Sequence, residues 1–178
     1  KNFDYLQQKA VFLDRDGVIN KLKKNGYIKT FSEFKFLPGV IDGVKFLNDN
    51  NYQVIIITNQ ACIGKSIITE KQLNNIHLKM KRVFLLKKRA QIDDIFYSPY
   101  FKYSKIKKYR QNFYDRKPNP GMILKAKEKW NIDLKKSFLI GDRISDLETA
   151  RKLKLKFYYK NKGSLLNQLK NIILKKKH

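Results

Sequence analysis

VFLDRDGVIN, Val11 to Asn20, is the stretch whose reading decides the fold. Val11, Phe12 and Leu13 are three apolar residues in a row running into Asp14, as a buried strand does at its carboxyl end. Gly17 permits a sharp turn immediately afterwards. The turn brings Asp14 and Asp16, two positions apart, toward one small volume. Like charges this close resist joint ionisation, so the pair calls for a divalent cation, a shared proton or both.

Outward from this stretch, strand and helix signals alternate. Pro38-Gly39 opens a helix to about Asn50, with Val40, Val44 and Leu47 on one face. Tyr52 to Thr58, YQVIIIT, is a β-branched run expected to be covered on both sides. Thr69 and Gln72 form a capping box for a helix to about Lys88 whose apolar stripe is Leu73, Ile76, Met80, Val83 and Phe84. His77 lies in that helix and is expected as a packed or exposed residue rather than a ligand. Ile92 to Tyr97 is a third strand. Asn119-Pro120-Gly121 supplies a cap and a first-turn proline for a helix to Trp130. Ser137 to Ile140 is a strand ending at Gly141-Asp142, followed by a helix to about Leu153, a strand at Phe157 to Tyr159 and a helix at Leu165 to Leu174. Lys1 to Lys9 is expected as a polar lead-in, Lys21 to Phe36 as a flap beside the site, and the terminal lysines as a frayed tail.

Such alternation predicts an α/β fold, a Rossmann-like three-layer sandwich around a central parallel sheet. Ligands bind off the carboxyl ends of such strands. Asp14, Thr58 and Asp142 all fall at strand ends, so they are expected on one rim with Asp16 and Lys117. Three carboxylates in an oxygen-rich surround suit Mg²⁺, and a hydroxyl with an ammonium makes a cradle for phosphoryl oxygens. Phosphoryl transfer needs mainly positioning and charge neutralisation, which this set supplies.

Composition bounds the rest. The 178 residues, 42% hydrophobic and 31% charged, fit one folded domain over 1–178. Cys62, the single cysteine, excludes an internal disulfide and is expected as a small buried thiol. No apolar run approaches the roughly 20 residues of a membrane span, and a cytoplasmic location follows as the simplest expectation. The net charge of +25 invites a nucleic-acid interpretation, but 33 of the 40 basic residues are Lys, scattered along the whole chain. Solvated lysine faces are the favoured explanation, with a field that attracts phosphorylated anions either way.

The sequence resembles the haloacid dehalogenase-like phosphatases. The four signatures of that family are matched in order by Asp14-Arg15-Asp16-Gly17, Thr58, Lys117 and Gly141-Asp142 with Ser145-Asp146. The resemblance implies a minimal or absent cap and a Mg²⁺-dependent phosphomonoester hydrolase. Asp14 would be the nucleophile, forming an aspartyl-phosphate, and Asp16 the general acid and base. Mg²⁺ would bind Asp14, the Asp16 backbone carbonyl and Asp142. Thr58, Asn59, Arg116, Lys117 and Arg143 would bind substrate, and Asp146 would support the rim. Glu148 has no role and is expected on a solvated helix face.

FLDRDGVIN, Gly26 to Ile28, FLPGV, TNQ, RKPNPGM and GDRISDLETA are further similar to members acting on a heptose bisphosphate or on histidinol phosphate. A sugar phosphate is therefore the expected partner, namely the 7-phosphate of a heptose 1,7-bisphosphate in nucleotide-heptose (lipopolysaccharide) synthesis. The chain is expected to act as a monomer without a membrane, with nucleic acid kept as the disfavoured partner. Histidinol-phosphate hydrolysis and polynucleotide 3′-phosphatase activity are the alternatives within the family; a non-catalytic binding protein is the alternative outside it. The polynucleotide 3′-phosphatase alternative draws on the net charge and on Phe96 to Tyr114, with eight aromatics among lysines. Relatives hold zinc with two ligand pairs in this loop. Ser98, Tyr100, Phe113 and Asp115 stand at those positions, so no zinc is expected.

Overall fold

The computed structural model describes residues 6–111 and 113–174, so the expected tail and most of the lead-in lie outside the described residues. Five parallel strands form one sheet: β1 (Lys9–Leu13), β2 (Tyr52–Asn59), β3 (Asp94–Ser98), β4 (Phe138–Gly141) and β5 (Lys156–Tyr159), in the order β3-β2-β1-β4-β5. The α-helices are α1 (Val40–Asp49), α2 (Ala61–Gly64), α3 (Glu70–Lys88), α4 (Gly121–Trp130), α5 (Ile144–Lys152) and α6 (Leu165–Leu174).

Period-two alternation along the strands builds the two cores. Val11, Leu13, Val54, Ile56 and Ile140 point to one face, where they meet Val44 and Leu47 of α1, Met80 and Phe84 of α3, and Leu165 and Leu169 of α6. Ala10, Phe12, Ile55, Ile57 and Leu139 point to the other, against Met122, Ile123 and Ala126 of α4 and Ala150 of α5. Central strands lined on both faces read as continuous apolar runs, which is why YQVIIIT carries no polar alternation.

The chain winds outward from β1 in two directions, to β2 and β3 on one side and to β4 and β5 on the other. The direction reverses between β1 and β4, and the crevice off their carboxyl ends is where an open α/β sheet binds ligands. Leu13 is in register with Ile140, and the Asp14 amide donates to the Ile140 carbonyl at 3.1 Å. Asp14 and Asp142 thus leave adjacent strands side by side.

Three local expectations need correction. Asn119 does not cap α4: Pro120 is the cap residue and makes no side-chain cap bond, while the Asn119 amide donates to the Phe113 carbonyl at 3.0 Å. The proline therefore stands just before the first turn rather than within it. On α3, Val83 is only half-buried, and the stripe facing the sheet is completed by His77. The capping box at Thr69 and Gln72 is present as expected. The four-residue α2 after β2 carries no periodic signal long enough to be seen in the sequence.

The irregular basic loop after β3 is anchored by its aromatics. Tyr109 is buried with Cys62, Ile63, Ile68 and Leu73, and its hydroxyl donates to Glu70 Oε1 at 2.5 Å. Lys65 lies over the rings of both Tyr27 and Phe101, at 5.3 and 5.0 Å, joining the 21–36 flap to this loop. In the same loop region Ser98 and Asp115 are buried, and Asp115 pairs with Lys125.

Candidate active site

A cavity of about 280 Å³ opens at the carboxyl ends of β1 and β4. Asp14, Asp16, Thr58, Asn59, Arg116, Lys117 and Arg143, seven of the expected site residues, line it, together with Lys23, Tyr27 and Ile28 of the flap. Asp142 and Asp146 are not among the lining residues but stand beside Asp14: the three each offer a carboxylate oxygen, and these lie within 4.8 Å of one another.

Lys117 is the hub of the floor and is almost fully buried. Its ammonium stands 2.9 Å from Asp14 Oδ1 and 2.6 Å from Asp146 Oδ1, and it donates to the Ile57 carbonyl at 3.1 Å. Burial opposes its charge, but Asp14 and Asp146 outweigh burial and hold its pKa above the ordinary lysine value. Asn59 serves the same residue from the backbone side, exchanging two hydrogen bonds of 3.0 Å with the Lys117 main chain. Its expected contact with substrate is thus joined to a second task, since both ends of its amide are engaged in placing Lys117.

Asp146 is more deeply placed than a supporter of the rim. Fully buried, it accepts from Lys117 through Oδ1, and through Oδ2 from the amides of Asp142 and Arg143 at 3.2 and 3.1 Å. Its position in the first turn of α5 also suits its charge to the helix dipole. Arg143 itself is exposed at the cavity edge, as is Glu148 on the outer face of α5. Arg116 is half-buried, with one Nη1 bond to the Tyr100 carbonyl at 3.2 Å.

Asp14 and Asp146 share the Lys117 ammonium and Asp142 stands beside them, so the carboxylates outnumber the paired cation. Burial pushes the Asp14 carboxyl up to about 7, with Asp146 and Asp16 adding to the rise and Lys117 opposing it. Burial and the Asp146 charge raise Asp142 as well. Buried Asp142 Oδ1 has no hydrogen-bond partner among the described residues. Gly17 makes the close approach possible: at φ +92°, a Cβ there would fall 2.1 Å from Asp142 Oδ2. An orphaned buried carboxylate oxygen beside two further carboxylates is the donor set of a hard divalent cation, so the residues present fit Mg²⁺.

Asp16 belongs to a different web. Both its oxygens accept from Arg15 Nη2, at 3.0 and 2.9 Å, while Asn20 donates to Oδ1 and Gln60 to Oδ2 at 2.9 and 2.8 Å. Gln60 also donates to Thr58 Oγ1 at 2.9 Å, so one amide links Asp16 to Thr58. Burial would raise the Asp16 pKa, but the Arg15 charge and these hydrogen bonds outweigh it and hold the carboxyl below its ordinary range.

Arg15, Asn20, Gln60 and His77 are the participants that sequence reasoning left without a role. Gln60 stands inside the quoted TNQ stretch. His77 stands four residues after Leu73 on the apolar stripe of α3, and a histidine on the buried face of a helix was the available signal. Cys62 is buried as expected and donates to Gln60 Oε1 at 3.5 Å; burial pushes its thiol up to about 11, far from a reactive thiolate.

Comparison with known proteins agrees with this geometry. Residues 9–162 match the family model described as polynucleotide kinase 3 phosphatase. The chain is 39% identical over 144 residues to D-glycero-alpha-D-manno-heptose-1,7-bisphosphate 7-phosphatase of Photorhabdus laumondii, a match spanning 81% of this chain and 77% of that one. It is 35% identical over 141 residues to D-glycero-beta-D-manno-heptose-1,7-bisphosphate 7-phosphatase of Salmonella typhi, spanning 79% and 73%. Among solved structures, D,D-heptose 1,7-bisphosphate phosphatase of B. bronchiseptica, complexed with magnesium and phosphate, superposes with a TM-score of 0.80 at 24% identity, covering 94% of this chain and 99% of that one. A HAD-like phosphatase of Mesorhizobium loti gives 0.77 at 23% identity, covering 84% and 70%. Both structures show likeness of fold.

Fold and relatives together define the class of haloacid dehalogenase-like phosphatases. Within that class the chain belongs to the polynucleotide kinase 3 phosphatase family, in the company of the D-glycero-D-manno-heptose-1,7-bisphosphate 7-phosphatases. Among its described residues, no helix is long and apolar enough to cross a membrane.

Proposed function

We propose that the chain is a Mg²⁺-dependent phosphatase working through an aspartyl-phosphate on Asp14, with the 7-phosphate of D-glycero-D-manno-heptose 1,7-bisphosphate as its substrate. The observation that carries the chemistry is the cluster of Asp14, Asp142 and Asp146 carboxylates, two of which are paired with the buried ammonium of Lys117. The sugar substrate is supported by the names of the relatives and by an open cavity whose rim carries Arg116, Arg143 and Lys23.

Asp14, the Asp16 backbone carbonyl and Asp142 would hold Mg²⁺, which would offset the excess negative charge and draw charge from the phosphoryl oxygens. With Asp14 Oδ1 fixed by Lys117 and by the Arg15 amide at 2.8 Å, the carboxylate keeps one orientation, and its Oδ2 attacks phosphorus. Thr58 and Lys117 hold the phosphoryl oxygens as charge builds on them. The bond from phosphorus to the sugar oxygen breaks, and that oxygen takes its electron pair and a proton from Asp16. Asp16 is a carboxylate in the free protein, so it acquires this proton as the anionic substrate arrives and raises its proton affinity. Asp16, ionised again, then takes a proton from a water that attacks phosphorus, and the bond to Asp14 breaks to release phosphate.

A metal dependence with a definite sign follows. Proton and cation compete for Asp14, whose carboxyl lies at about 7 without metal. Below that value the Mg²⁺ affinity of the substrate-free protein rises up to about tenfold per pH unit, and above it the affinity levels off. Calorimetric titration at pH 6, 7 and 8 checks this; equal affinity at all three contradicts it. Chelation abolishes turnover at every pH.

The function itself is tested by phosphate release from the two heptose 1,7-bisphosphate anomers, histidinol phosphate and a 3′-phosphorylated oligonucleotide. A clear preference for a heptose bisphosphate is expected. Preference for the oligonucleotide would transfer the substrate role to the basic loop around Tyr103, whose ring is exposed beside Lys102.

A further inference from the structure

We infer that His77 is a positioning residue that aims the Asp16 carboxylate through Arg15. The inference deepens the function proposed above and rests on Asp16 as general acid.

Arg15 is 1% exposed, an unusual depth for a guanidinium. Its Nη2 grips both oxygens of Asp16, and its Nη1 lies 3.1 Å from His77 Nε2. Arginine only donates, so His77 Nε2 must be the acceptor and the ring proton must sit on Nδ1. A protonated imidazole would present N–H to N–H and charge to charge. Burial, and then the Arg15 charge, hold the ring neutral, with its pKa pushed down to about 3. The Phe34 ring lies 6.0 Å from the guanidinium carbon, and Arg15 Nε has no partner among the described residues. Two contacts therefore fix the rotation of the guanidinium plane: the Asp16 carboxylate at one nitrogen and the His77 lone pair at the other.

The chain of contacts has a direction. α3 is a 19-residue helix packed on the sheet through Leu73, Ile76, Met80 and Phe84, so His77 projects from a rigid support. Asp16, by contrast, lies on the turn after β1, held by side chains rather than by a strand. Remove the imidazole and Nη1 loses its acceptor in a buried place, where a cation without a full set of partners seeks another arrangement. The clamp on Asp16 then loosens by rotation about the Arg15 side chain, and a general acid displaced by about an ångström loses much of its effect. Lys117, Asp142 and Asp146 lie in the other web, and Asp14 meets Arg15 through its main-chain amide rather than the guanidinium.

A defect confined to the general acid has a signature that a folding defect lacks. An alkyl phosphate needs a proton on its leaving oxygen, whereas p-nitrophenyl phosphate expels a stabilised phenolate that needs little help. The value of kcat/KM, which for a covalent mechanism reports the steps through formation of the aspartyl-phosphate, is compared for both substrates. The alkyl substrate is the one turned over best in the panel above. For His77→Leu, kcat/KM on the alkyl phosphate falls by about 10- to 100-fold, carried by kcat, while that on p-nitrophenyl phosphate falls less than about threefold. His77→Gln, whose amide oxygen can accept from Nη1, recovers most of the loss. Equal losses on both substrates, or no loss on either, would overturn the inference, as would a Gln variant as poor as the Leu variant. Asp16→Asn is run beside them to separate the two levels of the account. If Asp16→Asn discriminates between the substrates and His77→Leu does not, His77 has no such role and the general-acid assignment stands. If Asp16→Asn itself fails to discriminate, the assignment of Asp16 fails and the role of His77 falls with it.

Discussion

Asp14→Asn eliminates phosphate release, by at least about 10⁴-fold, from a protein that still folds. The amide keeps the shape and can still accept from the Arg15 main chain, but it supplies no anion to attack phosphorus. Stability moves the other way. A carboxyl whose pKa is raised in the folded protein penalises folding once the pH exceeds its unfolded value near 4, and the penalty grows until the pH passes about 7, the value burial imposes on Asp14. At pH 8 in chelator, the variant therefore melts at or above the temperature of the parent chain. Lys117 is not stranded by the change, because Asp146 remains 2.6 Å away. Thermal melts with chelator and with Mg²⁺ check both halves: the stabilisation by Mg²⁺ seen in the parent shrinks in the variant.

Lys117→Met is expected to be the more damaging substitution for the fold. The methionine fills similar volume, but Asp14 and Asp146 lose their shared cation where both carboxylates are almost fully buried. Breaking a buried pair from one side costs about 3–5 kcal/mol, far more than a surface pair contributes. Turnover falls by about 10²- to 10³-fold, since the cation beside the Asp14 carboxylate, proposed to hold the phosphoryl oxygens, is gone. Urea denaturation at pH 8 in chelator reads the first effect and phosphate release the second. Mg²⁺ restores part of the stability by neutralising the same carboxylates. A variant as stable as the parent would mean that the floor does not carry the charge assigned to it.

The two substitutions separate what the sequence could and could not convey. The ends of β1, β2 and β4 were legible because buried parallel strands are written as continuous apolar runs, and polar residues at their carboxyl ends must share a rim. Asp14, Thr58 and Asp142 followed from that rule, Lys117 from the need for an ammonium on that rim, and Asp146 from the family resemblance. What remained hidden was how the acids divide. Asp14 and Asp146 share Lys117 with Asp142 beside them, whereas Asp16 is held by Arg15, Asn20 and Gln60. Spacing of two residues says only that Asp14 and Asp16 are close, because their side-chain directions depend on a turn at Gly17 with positive φ. His77 was hidden for a related reason. Its partner is 62 positions away in the chain, and a helical histidine offers no local sign of a guanidinium packed beneath it. Asn119 misled in the opposite sense, since an Asn before Pro-Gly carries a capping signature while its amide is drawn to the Phe113 carbonyl by the preceding turn.

The central claim is that phosphorus is bonded to Asp14 during turnover. Rapid quenching of the enzyme with Mg²⁺ and excess substrate, followed by borohydride reduction and peptide mass spectrometry, tests it directly, because an acyl phosphate is reduced to an alcohol and an ordinary carboxylate is not. The account predicts homoserine at position 14, dependent on substrate and absent in Asp14→Asn. Full turnover with Asp14 unreduced, or with the alcohol at Asp16 or Asp142 instead, would contradict it.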